Sequence, residues 1–122
     1  MIMMLSAVPL YVADQERSKQ FYVDRLGFEV RTDAAFGPGQ RWLEVAPKGA
    51  QTAFAIVRAA DFDHARVGGP GPATLTCADV RALHADLTAH GVEVSEPVVE
   101  PWSTYVTLVD PDGWQFVVGE AK

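Results

Sequence analysis

Apolar and polar residues alternate along five stretches of this chain, and apolar residues recur at helical spacing along two more. Val8, Leu10 and Val12 share one side of an extended segment, opposite Ala7, Pro9 and Tyr11. Leu43 and Val45 oppose Trp42 and Glu44, and Leu75 and Cys77 oppose Thr74 and Thr76. Val106 and Leu108 oppose Tyr105 and Thr107, while Phe116 and Val118 oppose Gln115 and Val117. A two-residue period predicts half-buried strands. Ser18, Phe21, Tyr22, Arg25 and Leu26 are spaced for one helix, and Val80, Leu83 and Leu87 for another. Each helical run follows an aspartate suited to cap it, Asp14 or Asp79. Each stops at a glycine, Gly27 or Gly91, placed for the left-handed conformation past a helix end. Phe28-Glu29-Val30 and Val92-Glu93-Val94 then open new strands.

The clearest stretch runs from Tyr105 to Val118: strand, tight turn, strand. Pro111 presets φ for the first central turn position, Gly113 allows a positive φ, and Asp110 is placed to bond back to the turn backbone. Ala46-Pro47-Lys48-Gly49 followed by Thr52 to Val57 is a fainter copy. Asp14 and Asp79 lie 65 residues apart, and the pairs Gly27–Gly91 and Gly49–Gly113 are each 64 apart. Such a spacing, met repeatedly, marks two copies of one unit. The prediction is α+β: a single domain of two β-α-β-β-β modules, 5–58 and 72–120, joined by a Gly-, Pro- and charge-rich linker, 59–71.

The first-named side of each strand is expected to pack under the helices. The second carries Tyr11, Trp42 and Tyr105 beside Glu44, Thr107 and Gln115. Antiparallel sheets commonly leave one face to water. Solvated faces are usually rich in Lys and Glu, however, so this one is read as a ligand pocket or partner interface. For Trp42 the alternatives are a pocket wall or a core or dimer-interface residue; for Glu44, a ligand contact or a solvated carboxylate. Phe36, in the Gly/Pro-flanked stretch 34–39, is either a lid aromatic or a loop anchor. Trp114 falls on the helix side, where core packing is expected.

Composition removes several classes. With 48% apolar and 21% charged residues the chain should fold rather than stay disordered. A net charge of -6 argues against nucleic acid or an anionic membrane as partner and favours neutral or cationic ligands. The apolar start, Met1 to Leu5, is too short for a signal peptide and lacks a basic flank, and no apolar run reaches membrane-spanning length. A cytoplasmic protein is expected. Cys77 is the sole cysteine, so neither a disulfide framework nor a thiolate metal cluster is available. His64, His84 and His90 are read as surface residues, and no Ser-His-Asp or Cys-His constellation is evident.

Asp14-x-x-x-Ser18-x-x-Phe21-Tyr22-x-Asp24-x-Leu26-Gly27-Phe28-Glu29, with Asp110-Pro111-Asp112-Gly113, resembles the vicinal-oxygen-chelate superfamily, which includes glyoxalase I, extradiol dioxygenases and bleomycin-resistance proteins. The resemblance implies paired modules whose strands curl into a cup-shaped mixed sheet, completed in a dimer. It also implies, in the enzymes, a divalent ion held on the cup side. The matching positions here are Ala7, Pro72 and Val117, with Ala53 or Ala55 as the first-module counterpart of Val117. None of these side chains coordinates a metal, so no cofactor is expected.

Ser6-Ala7-Val8-Pro9 ahead of Asp24-Arg25-Leu26-Gly27-Phe28, and Glu100-Pro101-Trp102 ahead of Asp110-Pro111, resemble the metal-free bleomycin-resistance branch. That resemblance implies a homodimer, with exchange of the N-terminal strand at Pro9, and a drug-contacting aromatic at Trp102. Ser103 stands where the branch usually has Gly, and Trp114 where it often has Asn. The expected function is non-catalytic sequestration of a small aromatic, cationic natural product or antibiotic. The ligand would be bound by Trp102, Trp42, Tyr11, Tyr105, Glu44, Phe36, Ser103, Thr107 and Gln115. The alternative is a metal-independent lyase or isomerase with Glu44 as base and Tyr11 or Tyr105 as acid.

Overall fold

The structure is a computed structural model that describes residues 1–63 and 65–122. It divides into two compact units, Met1–Val67 and Gly68–Lys122. The division falls inside the stretch read as a linker.

In the first unit, strand β1 (Ala7–Val12) leads into helix α1 (Gln15–Gln20), which continues as a wider π turn over Phe21–Arg25. Strands β2 (Glu29–Gly37), β3 (Gln40–Ala46) and β4 (Ala53–Arg58) follow, then a 3-10 turn, Ala59–Asp61. The sheet order is β1-β4-β3-β2, with β1 parallel to β4 and the other pairs antiparallel. The Asp14 carboxylate accepts a hydrogen bond from Arg17 N at 3.1 Å and so caps α1. Gly27, at φ +75°, ends the run, and Phe28 N donates back to Tyr22 O at 2.9 Å. Leu10, Val12, Leu43, Val45 and Ile56 are buried on the helix side of the sheet. Tyr22 joins them, packed edge-on against Phe21 and Phe54 and tilted on Phe28.

The second unit repeats this order. Strand β6 (Leu75–Cys77), helix α2 (Val80–Ala89) and strands β7 (Val98–Glu100), β8 (Ser103–Val109) and β9 (Trp114–Glu120) form the sheet path β6-β9-β8-β7. Asp79 caps α2 by accepting from Ala82 N, and Gly91 stops it at φ +73°. A short extra strand, β5 (Gly69–Pro70), also runs parallel to β9. The end of the predicted linker therefore belongs to the second sheet. The edge that is continuous in β1 is here broken into β5 and β6, and Gly71 shows why the chain is held so close at the break. Gly71 N donates to Gln115 O at 2.7 Å, and a Cβ on Gly71 would lie 2.6 Å from the Phe116 ring. Neither sheet closes into a barrel.

Three expectations need correction. Val92-Glu93-Val94 opens no strand: Val94 makes only an isolated bridge, to Leu108, and β7 begins at Val98. Residues 34–37 are not loop: β2 extends to Gly37, and the connection to β3 is a two-residue turn, Pro38-Gly39. Phe36 is thus a strand residue beside a hairpin tip. The helical run ending at Leu26 is α-helical only to Gln20. Trp114 is buried, at 7% exposure, on the side of Phe116 and Val118, as its parity predicts.

The β8–β9 turn is gripped from below. Asp110 is 5% exposed, and its carboxylate accepts from Asp112 N at 2.9 Å and Trp114 N at 2.8 Å. Asp110→Ala leaves two backbone donors without their charged acceptor and should lower unfolding free energy by roughly 2 kcal/mol or more. Asp110→Asn, which keeps one acceptor oxygen, should cost less. Urea titration of the three proteins measures both differences.

Candidate functional site

Tyr11, Trp42, Glu44 and Phe36 belong to the first unit. Strand parity places Tyr11, Trp42 and Glu44 on the face opposite α1. In the sheet register Tyr11 pairs with Val57, and both Pro9 and Glu44 pair with Ala55. Continuing β3 one residue past the Leu43–Ile56 pair brings Trp42 alongside Val57. Tyr11 and Trp42 therefore flank the central strand, two strand spacings or about 10 Å apart, over a floor of Ala55 and Val57. Trp42 is 40% exposed, and its Nε1 donates to Glu44 Oε2 at 2.9 Å, so the carboxylate orients the indole. Phe36 is exposed at the β2 end.

One aromatic escaped the sequence reading. Phe62, just past the 3-10 turn, packs edge-on against Tyr11 with ring centroids 5.9 Å apart. Only its isolation between Asp61 and Asp63 in a polar segment marked it in the sequence.

The other candidates lie in the second unit and separate into two groups. Thr107 and Gln115, with Val117, line a cleft of about 510 Å³ bordered by the broken edge from Pro70 to Thr74. Trp102 and Ser103 line a second hollow of about 430 Å³, between Glu100 and Glu120. Tyr105 sits on β8 between Ser103 and Thr107, across from Gly119. Trp102 occupies a two-residue turn, because Glu100 pairs with Ser103, and it is 66% exposed. A core role within this unit is therefore excluded for it.

The registers of the two sheets identify equivalent positions. Leu43 pairs with Ile56 as Val106 pairs with Val118, so Trp42 corresponds to Tyr105, Glu44 to Thr107, and Ala55 to Val117. That decides for Ala55 over Ala53 as the counterpart of Val117. Gly39, at φ +71°, corresponds to Trp102.

The metal implied by the enzyme branches does not fit this donor set. Ala7, Ala55, Pro72 and Val117 offer methyl, methylene and isopropyl groups. Among the described residues no group of three His, Cys, Asp or Glu is placed to hold an ion. His84, on α2, lies 3.8 Å from Glu96, and His90 Nδ1 lies 2.8 Å from Asp86 O at the helix end. His64 falls outside the described residues. Burial pushes the Cys77 thiol above its ordinary pKa, which keeps it protonated and unreactive near neutral pH.

A family model described as the Glyoxalase/Bleomycin resistance protein/Dioxygenase superfamily matches residues 4–118. The chain belongs to this superfamily. YetH of Bacillus subtilis (strain 168), itself uncharacterized, is 34% identical over 125 residues, spanning 98% of this chain and all of YetH. A superfamily member from Sphaerobacter thermophilus DSM 20745 superposes with a TM-score of 0.91 at 33% identity, covering 98% of each chain. TnmS3, an antibiotic binding protein from Streptomyces sp. CB03234, superposes with a TM-score of 0.88 at 35% identity, covering 99% of this chain and 98% of its own. The superfamily includes dioxygenases as well as resistance proteins, so membership fixes the fold and leaves the chemistry to the site. No helix among the described residues is long and apolar enough to cross a membrane.

The strongest charge pairing of the first unit lies away from the aromatic face. Asp33 accepts from Arg41 Nε and Nη2 at 2.7 Å each and from Lys19 Nζ at 3.0 Å, and Arg41 also reaches Glu16 at 3.1 Å. The hydrogen bond from Arg41, then that from Lys19, holds the Asp33 carboxyl well below the ordinary carboxylate range. A carboxyl with a depressed folded pKa stabilises the fold fully above its unfolded pKa, about 4, and loses that contribution as pH falls toward the folded value. Asp33→Asn should therefore cost about 1 kcal/mol at pH 7, and the gap to wild type should narrow below about pH 4. Denaturant unfolding at several pH values reads this directly.

Proposed function

We propose that this protein is a non-catalytic, metal-free binder of flat aromatic natural products of the antibiotic class that confers resistance by sequestration in the cytoplasm. The observation that carries this reading is the face of the first unit, where two aromatic side chains flank a floor of small apolar residues and a carboxylate orients one of them. Aromatic side chains give large stacking area with few torsions to freeze, so a flat ligand binds them at little entropic cost. Likeness to TnmS3 along nearly the whole chain supports a binding role. The position of Glu44 favours binding over proton transfer, since the carboxylate already accepts the indole N–H of Trp42. The mechanism needs only mass action: bound compound does not reach its target. The assembly proposed with it is a two-fold homodimer, with exchange of the first strand at Pro9.

Incubating the protein with a panel of anthraquinone- and acridine-type antibiotics should quench tryptophan fluorescence, and mass spectrometry should recover every compound unchanged. A converted product would replace sequestration with a lyase- or isomerase-type activity. Trp102→Ala should weaken binding by roughly 2 kcal/mol or more and leave the melting temperature nearly intact, because the ring stands on an exposed turn. A destabilised variant that still binds at full strength would remove Trp102 from the site. Sedimentation at micromolar concentration should give twice the 13.2 kDa chain mass; a single 13.2 kDa species overturns the dimer.

A further inference from the structure

Phe62 is costly where it stands. It is 52% exposed and directly follows the Ala59-Ala60-Asp61 turn, with Asp61 and Asp63 on either side of it. The turn is held specifically. Arg58 Nε and Nη2 donate to Asp61 Oδ1 at 3.2 and 2.7 Å, and Nη2 also donates to Gly39 O at 3.3 Å. Phe62 N donates to Ala59 O at 3.0 Å. The guanidinium thus ties the 3-10 turn to the tip of the β2–β3 hairpin, and Phe62 is delivered edge-on to Tyr11. Strand parity puts Tyr11 on the face that also carries Trp42 and Glu44.

A phenyl ring serving only to anchor the segment would be expected to bury most of its surface, and this one does not. A ring meeting Tyr11 at 65° presents an aromatic corner: one wall from each ring, open to solvent, with a third aromatic across the central strand. Such a corner suits a flat polycyclic ring, which gains offset or edge contacts on two sides. Glu44 lies one row along the same face, and the chain carries a net charge of -6, which favours a positively charged ring system.

We infer that Phe62, positioned by the Arg58–Asp61 turn, is a ligand-binding residue that forms with Tyr11 an aromatic corner selective for flat polycyclic cations. This rests on the aromatic-ligand reading above and adds to it a residue, a ligand charge and a positioning device.

The test uses 9-aminoacridine, a flat fluorescent cation, titrated with full-length protein and followed by its own anisotropy. 1,8-Dihydroxyanthraquinone serves as the uncharged comparison. Wild type should bind the cation more tightly. Phe62→Ala and Phe62→Leu should each weaken it roughly three- to tenfold, and Phe62→Tyr should stay within about twofold. Arg58→Gln should weaken it as well, yet add nothing on top of Phe62→Ala, as expected of a residue that acts only by placing the ring. Thermal melting should show all variants folded. If Phe62→Leu binds as wild type does, Phe62 is an apolar anchor and the inference falls. If wild type binds and Phe62→Ala binds equally, the inference falls while the binding function stands. If only the uncharged compound binds, selectivity for cations is overturned. If neither probe binds, the corner is wrong, and binding of other panel compounds then decides the broader reading separately.

Discussion

The grip of the Asp110 carboxylate on its turn fixes the register of β8 against β9, and most of the second unit follows from that register. Side chains alternate with a period of two, so a slip of one residue would send Val106, Leu108, Phe116 and Val118 to the open face and bring Thr107, Gln115 and Val117 under the helix. The first unit meets the same demand differently. By the same strand equivalence the residue matching Asp110 is Pro47, whose side chain has no acceptor to offer. Its turn is held from outside by Arg31, whose Nη2 donates to Pro47 O and Ala50 O at 3.1 and 2.7 Å. A carboxylate satisfying backbone donors in one copy is replaced by a guanidinium satisfying backbone acceptors in the other.

Fixed register divides the labour of each sheet. The helix side supplies the core: Tyr22 and its ring neighbours in the first unit, Phe116 and Leu87 in the second. Because that side stabilises each unit, the opposite side is free to vary. In the first unit it became aromatic over small residues. In the second, a broken edge strand opens a cleft beside Thr107 and Gln115. The two copies also diverge at the equivalent hairpin tips, where Gly39 takes a left-handed φ and the second unit displays an indole at Trp102.

Charge is kept to the margins of this arrangement. Asp33, Arg41, Lys19 and Glu16 pair with one another near α1, and Arg58 pairs with Asp61 at the base of the Phe62 turn. Satisfying these groups locally leaves Glu44 as the carboxylate among the rings of the first unit's open face, where it orients the Trp42 indole.

By itself the sequence determined the repeated β-α-β-β-β order, the Asp caps and Gly stops of both helices, and the side of the sheet taken by each residue of β1, β3, β8 and β9. These are local properties: capping acts within three residues, and alternation needs no partner. The lack of metal donors at Ala7, Pro72 and Val117 was equally legible, since side-chain chemistry does not depend on the fold. Only the tertiary structure decided what depends on pairing between distant segments. It chose Ala55 over Ala53, because the β3–β4 register and not the residue count defines equivalence. It extended β2 through Phe36, drew Gly69 and Pro70 out of the linker onto β9, and carried Phe62 back to Tyr11. A ring in a polar segment has no periodic neighbours to announce it; its turn is tied by Arg58 to the Gly39 carbonyl at the tip of the β2–β3 hairpin, 19 residues away, which no local pattern encodes.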